Sequence, residues 1–205
     1  MEVVCLDLEG VLVPEIWISF AKHTGIQEFA ATTRDIADYD VLMKQRLNLL
    51  QQHGFSLADV QAVIAKMQPF TGAKEFLDWL RGHFQVIILS DTFYEFAQPL
   101  MQQLALPTLF CHQLQVNEQG MIVDYKLRQA DQKRQAVQAL HALNFRVIAA
   151  GDSYNDTNML AEADVGFLFE APDYIIAQFP QFPALQGYPA LKNAIRQASQ
   201  REITA

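Results

Sequence analysis

The chain opens with a short apolar run that ends in two carboxylates and a glycine. Residues 3–6 are apolar and partly β-branched, and Asp7, Glu9 and Gly10 follow them. A run without alternating polar positions is typical of a strand covered on both faces, so it predicts the central strand of a parallel α/β sheet. Ligands of such sheets bind beyond the carboxyl ends of the strands. Because residues i and i+2 of an extended chain point to the same side, Asp7 and Glu9 are expected to face one pocket.

From residue 14 to residue 69 the pattern changes, and apolar residues recur at the spacing of helices. Gly54 indicates the end of one helix, and Ser56 is suited to cap the next. A crossover between parallel strands needs only about a dozen residues, so this longer segment indicates an insertion with its own function. We predict an α/β core formed by residues 1–13 and 70–205, with residues 14–69 as a small helical cap.

Beyond the cap, helical and strand patterns alternate, as in a doubly wound, mostly parallel sheet of the Rossmann type. The predicted elements are a helix from Gly72 to Gly82, a strand at 84–89, a helix at 93–104 that contains Pro99, a hairpin at 112–127, a helix from Asp131, strands at 146–150 and 165–169, and a final helix at 190–198. The tail from Pro172 is predicted to wrap the surface before that final helix.

Two later strands also end in polar residues, at what should be the same edge of the sheet. Ser90 and Asp91 follow the second predicted strand, and Asp152 and Asp156 follow the third. Carboxylates that converge in a cleft repel one another unless cations join them. One such cation is Lys133, which lies in the first turn of a helix, where the helix dipole disfavours it. The other is Mg²⁺, which prefers carboxylate oxygens, water and a substrate phosphate.

These groups suit the attack of a carboxylate on a phosphomonoester, with a metal ion and a lysine absorbing charge. Ser90 adds a hydroxyl and a backbone N–H for phosphate oxygens. The chain lacks the Gly-x-x-x-x-Gly-Lys-Ser/Thr loop that binds nucleotide triphosphates. Each residue alone has an ordinary explanation as a turn former, a solvated lysine, a helix cap or a loop acid. Their joint occurrence, each at a strand end or a helix start, favours a site.

The composition narrows the class of protein. The 205 residues are 51% hydrophobic and carry a formal net charge of −8, which suits a sizeable core and argues against a nucleic-acid or anionic-membrane partner. Cys5 and Cys111 lie far apart in sequence, and two reduced thiols are the simpler interpretation. Because neither a signal peptide nor a membrane-spanning apolar run is found, a cytoplasmic location is expected.

The residues quoted so far match the four motifs of the haloacid dehalogenase-like phosphatases, and the chain resembles that superfamily. Residues 7–12 resemble its first motif, residues 86–91 the second, Lys133 the third and residues 151–156 the fourth. The helical insertion directly after the first motif resembles the cap of the phosphoserine phosphatase branch.

The resemblance implies roles in catalysis for five residues. Asp7 would be the nucleophile that forms an aspartyl phosphate, and Lys133 would absorb charge and bind phosphate. Glu9 would act as the general acid/base. The metal ligands would be Asp7, the backbone carbonyl of Glu9, and Asp152, with Asp156 supporting the site.

The same resemblance implies residues that bind the substrate. Ser90, Asp91 and Asn155 would bind the phosphate together with the lysine. Glu15 and Arg46 match the residues that hold the amino and carboxylate groups of phosphoserine in that branch.

Glu9 departs from the superfamily pattern, in which most phosphatases have aspartate at this position. A general acid/base has to lie within roughly 2.6–3.2 Å of the proton it moves, so one extra methylene shifts that carboxylate and leaves room for a hydroxyl acceptor other than water. The resemblance includes enzymes that pass the phosphoryl group to homoserine. We therefore expect phosphoserine as the donor and water or homoserine as the acceptor. The oligomeric state stays open, with a homodimer among the options.

Two alternatives stay open at this point. The first keeps the chemistry but changes the substrate to a nucleotide or sugar phosphate, for which an aromatic slot would be expected in place of Glu15 and Arg46. The second is a phospho-accepting signalling module of the receiver type, which also uses acids, a Ser/Thr and a Lys on a doubly wound sheet. The insertion at residues 14–69 favours the enzyme, because a signalling module needs no bundle that covers a substrate.

Overall fold

A computed structural model describes residues 1–32, 35–36 and 38–203 of the chain. The strands are β1 (Glu2–Leu6), β2 (Gln85–Phe93), β3 (Thr108–Val116), β4 (Ile122–Lys126), β5 (Arg146–Gly151), β6 (Val165–Phe169) and β7 (Ala184–Leu185). The α-helices are α1 (Ile16–Thr24), α2 (Tyr39–Gln52), α3 (Leu57–Ile64), α4 (Ala73–His83), α5 (Tyr94–Gln103), α6 (Gln132–Ala142), α7 (Thr157–Glu162), α8 (Asp173–Gln178) and α9 (Tyr188–Ala198), with 3-10 turns at Gln27–Ala30 and Tyr154–Asp156.

In the described residues, seven strands form one sheet in the order β4-β3-β2-β1-β5-β6-β7. The pairing of β3 with β4 is antiparallel, and the other pairings of named strands are parallel. The first strand is central, because Val4 lies between Val86 of β2 and Ile148 of β5. This arrangement confirms the predicted α/β class and the position of β1.

Helices cover both faces of the sheet, which is why β1 has no alternating polar positions. Val4 and Leu6 belong to one apolar cluster that includes residues of α4, α5 and α9. Val3 and Cys5 point to the other face and pack in a cluster with residues of α6, α7 and α8. With both sides of β1 buried, polar side chains appear only where the strand ends.

Three details differ from the sequence-based expectations. The helix α4 does not end at Gly82 but continues to His83. Strand β2 extends beyond Leu89 through the polar residues to Phe93, with a shift of register against β3. The tail after Pro172 does not merely wrap the surface, because α8 forms there and β7 pairs with β6 at the edge of the sheet.

The segment between β1 and α4 contains helices, as predicted. Gly54 has a φ of 70° just after α2, and Ser56 begins α3 in a capping box with Asp59. An aromatic cluster that includes Trp17, Phe20 and Phe29 packs these helices together. The division into a cap at 14–69 and a core remains a prediction. None of the helices in the described ranges is long and apolar enough to cross a membrane.

Candidate active site

Asp7 is the first residue after β1, and the backbone holds it tightly. Its N–H continues the parallel pairing by donating to the carbonyl of Ala150 at 3.0 Å. The N–H of Leu8 donates to Asp7 Oδ1 at 2.7 Å. The side chain is buried and lines a cavity at the carboxyl edge of the sheet. The sequence therefore places a carboxylate where this class of sheet binds its ligands.

Gly10 lets the loop after β1 approach the loop after β5. Its φ is 78°, and a Cβ built at this position would lie 2.3 Å from Asp152 Cγ. Both the left-handed backbone and the lack of space therefore require glycine here. The consequence is that Asp152 lies directly against the loop that carries Asp7 and Glu9.

Lys133 is buried among three carboxylates. Its Nζ lies 2.9 Å from Asp7 Oδ1, 2.7 Å from Asp156 Oδ1 and 3.8 Å from Asp91 Oδ2. Burial disfavours the charge, but Asp156, Asp7 and Asp91 together hold the pKa of Lys133 well above its usual value. The lysine is therefore cationic, despite its position in the first turn of α6.

One lysine does not balance the acids around it. Burial and the neighbouring Asp156 raise the pKa of Asp7 well above its ordinary value, against the opposing effect of Lys133. The same two causes raise the pKa of Asp152 to about 7. A nucleophilic carboxylate has to be ionised, so these shifts are a reason to expect a further cation beside Asp7.

Asp156 organises the loop after β5. Its Oδ2 accepts hydrogen bonds from the N–H groups of Asp152 and Ser153, at 3.0 and 3.1 Å, and from Ser153 Oγ at 3.2 Å. A Cβ on Gly151 would lie 2.3 Å from the carboxyl carbon of Asp156, so glycine is again required. Asp156 is fully buried, whereas the other predicted site residues line the cavity.

The carboxylates of Asp7, Asp152 and Asp156 fit a divalent metal ion. An oxygen atom of each lies within 4.8 Å of the others, and an all-oxygen set of this kind suits Mg²⁺. Within the described ranges the side chain of Glu9 does not belong to this group. The role expected for Glu9 at the metal involves its backbone carbonyl and not its carboxylate.

The Glu9 carboxylate lies against the start of α1. Its Oε2 accepts a hydrogen bond of 2.8 Å from the N–H of Ile16, the first residue of α1. Burial, together with the nearby Glu15, raises the pKa of Glu9 to about 8, while the bonds from Ile16 and Thr92 oppose that rise. A pKa raised in this direction suits a group that gives and takes a proton near neutral pH.

The end of β2 forms another wall of the cavity. Ser90 is buried, and its Oγ accepts a hydrogen bond of 3.3 Å from the N–H of Thr92. Although burial favours the neutral form of Asp91, Lys133 and His112 lower its pKa to about 2. An ionised carboxylate repels phosphate. If Asp91 binds phosphate as predicted, it therefore does so through its backbone N–H and not through its side chain. Asn155 lies exposed at the opposite rim.

Arg46 reaches the cavity from α2 with part of its guanidinium unpaired. Its Nη2 donates to the carbonyl of Ala31 at 2.8 Å, and its Cζ lies 4.7 Å from the ring centroid of Trp17. The buried Nε has no hydrogen-bond partner in the described part of the chain. Burial lowers the pKa of Arg46 to about 10, so it remains charged at neutral pH. Glu15, which precedes α1, lines the same cavity.

The cavity has a volume of about 360 Å³ and collects nearly all the residues that the sequence singled out. Those that line it are Asp7, Glu9, Glu15, Arg46, Ser90, Asp91, Lys133, Asp152 and Asn155. Trp17, Tyr39 and Tyr154 line it as well and were missed. Helical spacing makes Trp17 and Tyr39 indistinguishable from core aromatics, and an exposed tyrosine after a turn carries no signal of its own.

The fold and the site define a class of hydrolase. Residues 1–164 match the family model described as haloacid dehalogenase-like hydrolase, and the chain belongs to this family. Because the chain belongs to this hydrolase family, the protein is an enzyme, and the alternative of a receiver-type signalling module is excluded.

Two curated relatives extend over nearly the whole chain. A phosphoserine phosphatase from Pseudomonas syringae pv. tomato is 63% identical over 203 residues, which cover 99% of this chain and 86% of that protein. The protein named phosphoserine phosphatase ThrH from Pseudomonas aeruginosa is 61% identical over 204 residues, or 100% of each chain.

Solved structures share the fold at low identity. A substrate-bound phosphoserine phosphatase complex has a TM-score of 0.76 at 17% identity and covers 96% of this chain and 97% of that one. A phospho-aspartyl intermediate analogue of phosphoserine phosphatase has a TM-score of 0.75 at 17% identity, covering 96% and 98%. These likenesses support the α/β fold with its inserted helices.

Proposed function

We propose that this enzyme is a Mg²⁺-dependent phosphoserine phosphatase that works through an aspartyl phosphate on Asp7 and can pass the phosphoryl group to homoserine. Both curated relatives described above are named phosphoserine phosphatases. The observation that carries the proposal is the cavity itself, which Asp7 shares with Glu15 and with the partly unpaired guanidinium of Arg46. Phosphoserine has one group for each of them.

In the first half-reaction, a carboxylate oxygen of Asp7 attacks phosphorus and the bond from phosphorus to the serine oxygen breaks. Glu9 gives its proton to the leaving oxygen, which is consistent with the raised pKa of its buried carboxyl group. In the second half-reaction, Glu9 removes a proton from the incoming hydroxyl as that oxygen attacks the aspartyl phosphate. Free Asp7 is thereby regenerated.

Residues around Asp7 stabilise the negative charge of the phosphoryl group. Lys133 lies close enough to contact both the nucleophile and a bound phosphate, and Ser90 offers a hydroxyl and a backbone N–H. Bound Mg²⁺, which Asp7, Asp152 and the backbone carbonyl of Glu9 would hold, supplies positive charge that stabilises the transferring group. Asp156 keeps Lys133 and the Asp152 loop in place.

The direct test is phosphate release from a panel of phosphomonoesters in the presence of Mg²⁺. We expect phosphoserine to have a kcat/KM at least tenfold above nucleotide and sugar phosphates, because only phosphoserine pairs with both Glu15 and Arg46. A sugar or nucleotide phosphate as the best substrate would contradict the proposed donor while leaving the phosphatase chemistry intact.

Arg46→Ala should reduce kcat/KM for phosphoserine about 100-fold, because truncating one partner of a buried charged contact costs roughly 2–5 kcal/mol. The same change should alter use of p-nitrophenyl phosphate, which has no carboxylate, by less than about threefold. Lys44→Ala is the matched control, since Lys44 lies two residues earlier on α2 with an exposed side chain. Equal losses on both substrates would give Arg46 a structural role instead.

Glu9→Asp should lower the ratio of phosphohomoserine to free phosphate at least fivefold. The longer carboxylate reaches the start of α1, beside the Glu15 that would hold the ammonium of an amino alcohol. An oriented acceptor has a large effective concentration over water, and a shorter acid would withdraw from it. The measurement is product partitioning from phosphoserine at fixed homoserine, with a rapid-quench burst to show that the phosphoenzyme still forms.

Glu28→Asp is the control for that experiment, because Glu28 is an exposed residue of the cap. If the product ratio of Glu9→Asp equals that of the unaltered enzyme, the cap and not this glutamate selects the acceptor.

A further inference from the structure

A ring of polar contacts lies next to Ser90 and Asp91 in β2. The backbone N–H of Arg128 donates to His112 Nδ1 at 3.0 Å, and Arg128 Nη2 donates to Gln132 Oε1 at 2.7 Å. Gln132 Nε2 in turn donates to the carbonyl of Ser90 at 2.6 Å and to Asp91 Oδ1 at 3.3 Å. The ring closes on Asp91, whose Oδ1 lies 3.6 Å from His112 Nε2.

The hydrogen bonds determine which ring nitrogen of His112 carries the proton. Since Nδ1 accepts a hydrogen bond from the N–H of Arg128, it cannot carry a proton itself, and the ring proton has to be on Nε2. That proton points towards Asp91. His112 and Gln132 are only 3% and 2% exposed, and buried polar groups of this kind are costly unless every partner is in place.

The ring determines where the charge of Asp91 points. Asp91 is about one-third exposed and lines the cavity, with Oδ1 turned to His112 and Gln132 and Oδ2 at 3.8 Å from Lys133. A carboxylate that was free to rotate into the cavity would repel a phosphate dianion. In that orientation the Asp91 carboxylate would also no longer face Lys133, which has to neutralise the phosphate dianion.

We propose that His112 and Gln132 are positioning residues, which hold the Asp91 carboxylate against Lys133 and away from the phosphoryl group. The inference rests on the proposed phosphoryl-transfer function but not on phosphoserine as the donor. Neither residue is among those that line the cavity. Both act through Asp91 and Ser90, and the β3–β4 hairpin contributes to the site through His112 at this point.

The test measures binding of inorganic phosphate in the presence of Mg²⁺ by titration calorimetry. His112→Asn keeps an acceptor near the Arg128 N–H but cannot reach Asp91, and it should raise the Kd for phosphate about tenfold. His112→Gln, whose amide reaches as far as Nε2, should bring the Kd back to within about threefold of the unaltered protein. Gln132→Met, which removes both donors at similar volume, should weaken phosphate binding at least as much as His112→Asn.

His141→Asn is the matched control, because His141 forms a pair with Asp164 at 3.0 Å on the far end of α6. A purely structural role would lower the unfolding temperature of the ring variants without changing the Kd measured well below it. If phosphate binds His112→Asn and Gln132→Met within twofold of the unaltered protein, the inference is wrong. That result would leave phosphoserine hydrolysis untouched, whereas absence of phosphate binding by the unaltered protein would overturn both proposals.

A measurement on the unaltered protein covers the case in which the variants do not fold. Long-range ¹H–¹⁵N spectra of the imidazole should show His112 protonated at Nε2 and unprotonated at Nδ1. Its ring signals should shift when phosphate and Mg²⁺ are added, since Asp91 faces the lysine that binds the phosphate. A proton on Nδ1, or signals unmoved by phosphate, would refute the positioning role.

Discussion

Replacing Asp7 by asparagine should lower turnover by about 10⁴-fold or more, because removal of a catalytic nucleophile commonly has effects of this size. Asparagine has nearly the shape of aspartate and can still accept the hydrogen bond from the N–H of Leu8. The amide cannot attack phosphorus to form the acyl phosphate. Steady-state release of phosphate measures the loss, and rapid quenching with ³²P-labelled substrate should find no labelled enzyme.

The variant should remain folded, which separates loss of chemistry from loss of structure. Asparagine keeps the hydrogen bond from Leu8, and Lys133 keeps its 2.7 Å contact with Asp156, so the unfolding temperature should change little. Asp124→Asn, at an exposed residue of β4, is the control for the substitution itself. Activity above about 1% of the unaltered enzyme would show that another group is the nucleophile.

Removing divalent metal should reduce activity to background, and added Mg²⁺ should restore it. Three carboxylates with oxygens within 4.8 Å of one another share one buried lysine, so a phosphate dianion would enter a region that is already too negative. Chelation followed by titration with Mg²⁺ gives the requirement. Full activity in excess chelator would exclude a metal-dependent mechanism.

Asp152→Asn should raise the Mg²⁺ concentration for half-maximal activity about 100-fold, because it removes a charged ligand without changing the shape of the loop. A readout independent of turnover is the unfolding temperature. Mg²⁺ should raise it in the unaltered protein by binding the folded state, and should raise it far less in Asp152→Asn. The exposed Asp124→Asn variant should behave like the unaltered protein in both assays.

The sequence predicted the core of this site because its signals are local. Asp7, Ser90 and Asp152 each follow an apolar strand, and parallel strands bring their carboxyl ends to one edge without any knowledge of packing. Glu15 and Arg46 came from the family resemblance, since a glutamate and an arginine within amphipathic helices have no local feature that marks them as ligands. Their presence in the same cavity as Asp7 is a structural finding.

What could not be predicted depends on tertiary packing. The direction of a side chain is not encoded locally, so Asp91 was expected to meet phosphate, whereas its carboxylate faces Lys133 and His112. His112 lies in a strand pattern and gives no sign of its distant partners. The two-residue strand β7 is too short to show a periodicity, and only its pairing with β6 makes it a strand.

Because β1 is the central strand, Asp7 reaches its native position only when the strands on both sides of β1 have formed. Glu2–Leu6 precedes both of its neighbours in the chain, which are Gln85–Phe93 and Arg146–Gly151. Such pairings close long loops, and contacts of large sequence separation form slowly. Until β5 has been synthesised, β1 has no partner on that side and its apolar residues are a source of misassembly. Asp7 is thus synthesised well before the strands β2 and β5, which complete its native surroundings.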